Sequence, residues 1–261
     1  MQRHLCFLVS GWCGLAVACS EPIGPEATSS GNAAGSPARP SYLAVPSPEF
    51  SWDQTKFLPT DMGTIRGRIC LLTRMSGHFE GGGEFVEIVP SGGHWWLQGG
   101  SQQVGVSARA RCLQVSSYGG EHVVTVMSGQ GIAGLDPAPA LCGFTRVSGK
   151  FKTLYLDGDA VSIVPAPGGS QLIVSSSSGE WLSASARCFT GAKSTATVTW
   201  SDALPVPLPI IGGNAFCFLT EIAGHFEGGG EYLEVIPSNN FWWINGGTLQ
   251  GGLEGQALCA T

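Results

Sequence analysis

Charge is scarce in this sequence. Only 12% of its 261 residues are charged, four of them lysines, and the formal net charge is −6. A chain this poor in cations has no electrostatic footprint for nucleic acid, which is therefore not expected as a partner. Catalytic signatures are missing as well. There is no GxSxG, no HExxH and no phosphate-cradling glycine loop ahead of a helix. No CxxC pair or Cys/His cluster has zinc-ligand spacing. No cofactor or metal is expected, and the chain reads as non-enzymatic. Beyond the first residues no helical hydrophobic period is found. Glycine is abundant instead, at 39 residues, which suggests many turns rather than long helices.

The N-terminus reads MQRHLCFLVSGWCGLAVACS. A short start carrying Arg3 leads into an apolar run from Leu5 to Ala18, too short to span a bilayer as a mature helix. It closes on Leu15-Ala16-Val17-Ala18-Cys19. This resembles the lipobox of bacterial lipoproteins, with Ala16 where that family usually carries Leu. The resemblance implies a signal peptide over 1–18, a lipidated Cys19, and attachment to the membrane through the lipid. Ser20 after the cysteine, rather than Asp, resembles lipoproteins sorted to the outer membrane. If the lipobox is not used, a secreted protein is expected. Residues 19–44 are dense in Pro, Gly, Ser and Ala. Such a stretch cannot bury enough apolar surface to offset its ordering entropy, and reads as a tether.

Nine cysteines reduce to six beyond the leader and Cys19, and in an oxidising compartment these should form three disulfides. They alternate between two contexts. One precedes a strand, as in RICLLTRMSGHF, ALCGFTRVSGKF and AFCFLTEIAGHF; the other ends one, as in SARARC, SASARC and EGQALC. Three tandem units follow, at 45–112, 113–188 and 189–261, each about 70 residues long. Apolar residues alternate with period two, as in Val104, Val106, Ala108, Ala110 and Cys112. The fold class is therefore all-β: three antiparallel repeats of roughly five strands each, packed with pseudo-threefold symmetry. Equivalent units should bond alike, which favours Cys70–Cys112, Cys142–Cys188 and Cys217–Cys259. Ring closure through Cys112–Cys142, Cys188–Cys217 and Cys70–Cys259 stays open. Over 45–261 the pattern C-x-L-T…G-x-F…GGGE…WW-L…SARC resembles tandem disulfide-bonded repeats of bacterial envelope lipoproteins. That resemblance implies location and architecture and brings no active site with it.

The stretch SGHFEGGGEFVEIVP at 76–90 returns as AGHFEGGGEYLEVIP at 223–237. Its glycines read as the positive-φ residues of a hairpin, because unit 2 replaces them with a longer stretch containing Asp157-Gly158. Its side chains are the candidate ligand face: His78, Glu80, Phe85 and Glu87 in unit 1, and His225, Glu227, Tyr232 and Glu234 in unit 3. Unit 2 carries Lys150, Lys152, Ala160 and Ser162 there. Aligning Trp95-Trp96 and Trp242-Trp243 with Gln171-Leu172 places Trp96 and Trp243 in the core and leaves Trp95 and Trp242 exposed. An exposed indole beside carboxylates suits sugar, stacking on its C–H face while the acids take hydroxyls. The expected function is a binding or adhesion module of the cell envelope, taking a glycan or surface polymer through units 1 and 3. A structural envelope protein with a protein partner is the alternative, and a hydrolase built on Glu84 and Glu87 is a third reading.

Overall fold

The computed structural model describes residues 46–102, 105–152, 158–211 and 215–261. The leader, Cys19 and the tether lie outside the described residues, as do Val104 and Asp157. The described residues form eighteen strands and no helix. Unit 1 supplies β1 (Phe50–Asp53), β2 (Thr60–Thr64), β3 (Arg68–Ser76), β4 (Phe85–Ser91), β5 (His94–Gly100) and β6 (Ser107–Gln114). Unit 2 supplies β7 (Ser117–Val126), β8 (Gly129–Pro137), β9 (Leu141–Gly149), β10 (Ala160–Ala166), β11 (Gly169–Ser176) and β12 (Leu182–Thr190). Unit 3 supplies β13 (Val198–Ser201), β14 (Val206–Ile211), β15 (Phe216–Gly224), β16 (Tyr232–Ser238), β17 (Phe241–Gly247) and β18 (Leu253–Ala260). Each unit thus has six strands rather than the five expected.

Three antiparallel six-stranded sheets result, and none belongs to a single unit. The orders are β1-β6-β3-β16-β17-β14, β2-β5-β4-β9-β12-β7 and β13-β18-β15-β10-β11-β8. Each unit gives its first, third and sixth strands to one sheet and its second, fourth and fifth to the next. The third strand of one unit then pairs with the fourth of another: β3 with β16, β9 with β4, and β15 with β10. These pairings close a cycle, so the units are joined by backbone ladders.

The stretch after the third strand makes the cycle. Phe79 N–H donates to Phe226 O, Phe151 N–H to Phe79 O, and Phe226 N–H to Phe151 O, at 2.7, 2.9 and 3.0 Å. The three buried rings meet edge to face, with centroids 6.2, 6.1 and 5.6 Å apart. Here the hairpin expected at GGGE is corrected. β3 does not pair with β4, and the glycine stretch carries the chain from one sheet to the next. Gly81–Gly83 and Gly228–Gly230 are not in the left-handed region. The residues that need it are Gly77, Gly149 and Gly224, with φ of +107°, +109° and +100°. A Cβ on any of the three would collide with the backbone leading into the sixth strand of its own unit, at Gly105, Trp181 and Gly252. Their N–H groups donate to Glu231 O, Glu84 O and Asp159 O of another unit.

The disulfides are Cys70–Cys112, Cys142–Cys188 and Cys217–Cys259, with Cα atoms 4.0, 4.0 and 3.9 Å apart. Each joins directly paired residues of the third and sixth strands of one unit, so ring closure is excluded. Closing loops of 42, 46 and 42 residues contributes about 4 kcal/mol each in the chain-entropy model. Three disulfides point to an oxidising, extracytoplasmic compartment. Within each unit the two halves face one another across apolar side chains such as Trp52, Leu72, Val86, Ile88 and Leu97, all buried. A second apolar cluster, including Ile69, Leu71, Phe189, Phe216 and Phe218, covers the opposite face where the three central strands approach.

Candidate functional site

A bulge in each central strand decides what the seam between units presents. The ladder shifts between Leu72 and Arg74 in β3, and between Leu219 and Glu221 in β15. In β9 the shift falls between Phe144 and Arg146. The extra residue is Thr73, Thr145 or Thr220. Inserting it re-aims the next side chain, so Arg74 and Arg146 point to the face opposite the core.

There each arginine meets a predicted acid. Arg146 lies 3.3 Å from Glu87, which also accepts from Gln98 Nε2 at 2.6 Å. The Arg146 guanidinium stands 5.3 Å over the ring of Phe85. In the sheet shared by units 3 and 1, Arg74 lies 3.4 Å from Glu234 and Arg109 3.7 Å from it, while Asn245 Nδ2 donates at 3.3 Å. Arg74 stands 4.8 Å over Tyr232. Burial of its guanidinium lowers the Arg74 pKa, and Glu234 opposes that shift. Phe85, Glu87, Tyr232 and Glu234 therefore belong to two equivalent rows, each bridging two units.

The tryptophan expectation is corrected. Trp95 and Trp242 are buried, at 0% and 4% exposure, and cannot stack on a sugar. Trp95 donates its indole N–H to Arg68 O at 3.0 Å and packs against Tyr118, under Arg187. Trp242 lies under Arg111. Trp96 and Trp243, expected in the core, are half-buried on the opposite face. The cause is alignment. Pro90, Pro165 and Pro237 pair with Trp95, Ser170 and Trp242, so Trp95-Trp96 corresponds to Ser170-Gln171. A one-residue slip turns every side chain of a strand to the other face.

The corrected rows extend to these indoles. Trp96 stacks with His94 at 6.2 Å and lines a shallow cleft with Leu58, Pro59, Val89 and Gln98. Trp243 meets Phe241 at 6.5 Å, and Phe241 lines a cleft with Pro207–Ile210. Gln98 then links the Trp96 end to Glu87, and Asn245 links the Trp243 end to Glu234. Sequence reasoning missed Arg74, Arg146, Trp96 and Trp243. The signal for the arginines was present as T-R, T-R and T-E in the three C-x-x-T contexts.

The remaining candidates sit elsewhere. His78 pairs with Glu80 at 3.2 Å and His225 with Glu227 at 2.9 Å. Among the described residues no hydrogen bond or ion pair joins these to Glu87 or Glu234. Beside them lie three buried acids in equivalent positions, Glu84, Asp159 and Glu231. Glu84 accepts from Gly81 N–H at 2.8 Å. Burial raises the Asp159 pKa, but hydrogen bonds from Lys152, Ser177, Ser176 and Ser178 more than offset it and hold the carboxyl below its ordinary value. Among the described residues, the Glu231 carboxylate oxygens have no hydrogen-bond partner.

The pattern breaks at the third seam, between units 2 and 3. Glu221 takes the place of Arg74, and Ser162 that of the acid. Burial, reinforced by Glu254, pushes the Glu221 carboxyl up to about 7. The chain matches no protein-family model and no curated protein.

Proposed function

We propose that the chain is a lipid-anchored, non-catalytic binding module of the bacterial cell envelope whose ligand is a carbohydrate or related surface polymer. The observation that carries this reading is the duplicated row: a partly exposed indole, an amide, a carboxylate and an arginine-capped aromatic ring, present at two seams and absent from the third. A half-exposed indole beside fixed hydrogen-bonding groups suits the alternating C–H and hydroxyl surface of a sugar. The lipobox-like sequence at 15–19 and the tether after it support display from a membrane, with the outer membrane as the expected site. Two equivalent rows on one rigid body would raise avidity for a repeating polymer without any new contact.

Glycan-array binding by the mature chain tests this. Wild type should bind a defined glycan class, and Trp96→Ala/Trp243→Ala should lose that binding while keeping the circular-dichroism spectrum. Absence of glycan binding by wild type would sink the sugar reading. It would leave the protein-partner alternative, which the strongly exposed Phe57, Leu58, Leu204 and Leu249 favour.

A further inference from the structure

The junction between units 2 and 3 contains a cleft where the other two junctions are filled. Between units 1 and 2, Trp95 packs against Tyr118, with the Arg187 guanidinium 5.5 Å from its ring centroid and its N–H on Arg68 O. Between units 3 and 1, Trp242 lies 5.6 Å from Arg111. Strand register identifies the counterparts at the third junction. Ser170 pairs with Pro165 as Trp95 pairs with Pro90. Ser194 bridges to Ala260 as Tyr118 pairs with Phe189. Leu258 precedes its disulfide cysteine as Arg187 does, and Ala140 precedes β9 as Arg68 opens β3. Every large group of the Trp95 cluster is thus replaced by a smaller one. The result is a cleft of about 470 Å³ lined by Ala140, Ser170, Ser194 and Leu258, with Lys193 at its side. That volume falls in the ordinary range for ligand sites, roughly 300–1,000 Å³.

We infer that this cleft is a binding site for the tryptophan side chain of a partner polypeptide. The molecule itself supplies the template: at two of three equivalent places the same backbone frame encloses an indole presented from a polypeptide strand. The inserted ring would lie against Leu258 and Ile163, with its N–H directed toward the backbone of Ala140, as that of Trp95 is toward Arg68. Lys193 would stand in for the cation that Leu258 has replaced, over the ring face. This site is separate from the rows at the other seams and does not depend on the proposed function.

The test is isothermal titration of the mature chain with N-acetyl-tryptophanamide, followed by heteronuclear NMR. Saturable binding is expected, with shifts centred on Ala140, Ser170 and Ser194. Ser170→Trp should fill the cleft from within and weaken binding at least tenfold. Ser194→Tyr, made on the other unit, should weaken it independently and covers the case in which Ser170→Trp fails to fold. N-acetyl-alaninamide should not bind. No saturable binding to wild type at millimolar concentration would overturn the inference, as would binding unchanged in a folded variant. Binding of free indole without N-acetyl-tryptophanamide would overturn the polypeptide partner and leave a small-molecule site.

Discussion

The seam between β3 and β16 and the seam between β10 and β15 are the same piece of architecture with opposite chemistry. At the first, Glu234 is capped by Arg74 and Arg109, and Trp242 closes the neighbouring junction. At the second, Glu221 is buried opposite Ser162 with Glu254 nearby, and the junction holds a cleft. Yet the phenylalanine ring at the centre, the strand order, the left-handed glycines and the disulfides are the same in all three units. Backbone closure therefore tolerates wide variation at the seams. What the third seam has discarded is side-chain chemistry that the other two keep, and this separates positions needed for folding from positions open to function.

The contrast can be tested by making the seams unequal in the opposite sense. The largest effect should come from the filled junctions. Trp95→Ala or Trp242→Ala should cost about 3–5 kcal/mol in denaturant unfolding, whereas Ser170→Ala should stay within about 0.5 kcal/mol. Next is the uncapped acid. Because the folded-state pKa of Glu221 is raised from 4.5 to about 7, the folded protein binds more protons than the unfolded chain in that window. Wild-type stability should therefore fall as pH rises from about 4.5 to 7. Glu221→Gln should reduce that slope, leaving the part due to Glu254, whose carboxyl burial and Asp202 also push up. It should stabilise the protein at pH 8 by about 3 kcal/mol, with little change at pH 4. Thermal melts across the pH range would read this, and an unchanged slope in the variant would refute it. At the capped seam, Glu234→Gln should cost about 1–3 kcal/mol by leaving Arg74 half-buried without its carboxylate. Glu87→Gln should cost less, because Arg146 is more exposed than Arg74. The smallest effect on stability, within about 0.5 kcal/mol, is expected for Trp96→Ala, although that variant should weaken glycan binding more than any of the others.

Much of the architecture was legible before the structure. Equivalent cysteine contexts favoured one disulfide per unit, and period-two alternation implied strands. The errors have one origin. In a β protein, side-chain direction depends on register, and register is a pairing property. Aligning Trp95-Trp96 one residue off exchanged the buried and surface indoles. The bulges at Thr73, Thr145 and Thr220 leave no unambiguous mark in a single strand, so Arg74 and Arg146 were not placed opposite the acids. The hairpin expected at GGGE failed for a similar reason, since consecutive strands were assumed to pair, whereas here the partner of β3 after β6 is β16.

By itself the sequence determined the all-β class, three equivalent units, the chemistry of the compartment and the residues that units 1 and 3 share against unit 2. These depend on composition, periodicity and internal repetition, which are local. Tertiary structure alone decided that each sheet is built from two units, that Trp96 and Trp243 rather than Trp95 and Trp242 reach the surface, and that one junction stays open. Those outcomes depend on which backbones hydrogen-bond to which. That choice is made between segments far apart in the chain, where no local pattern records it.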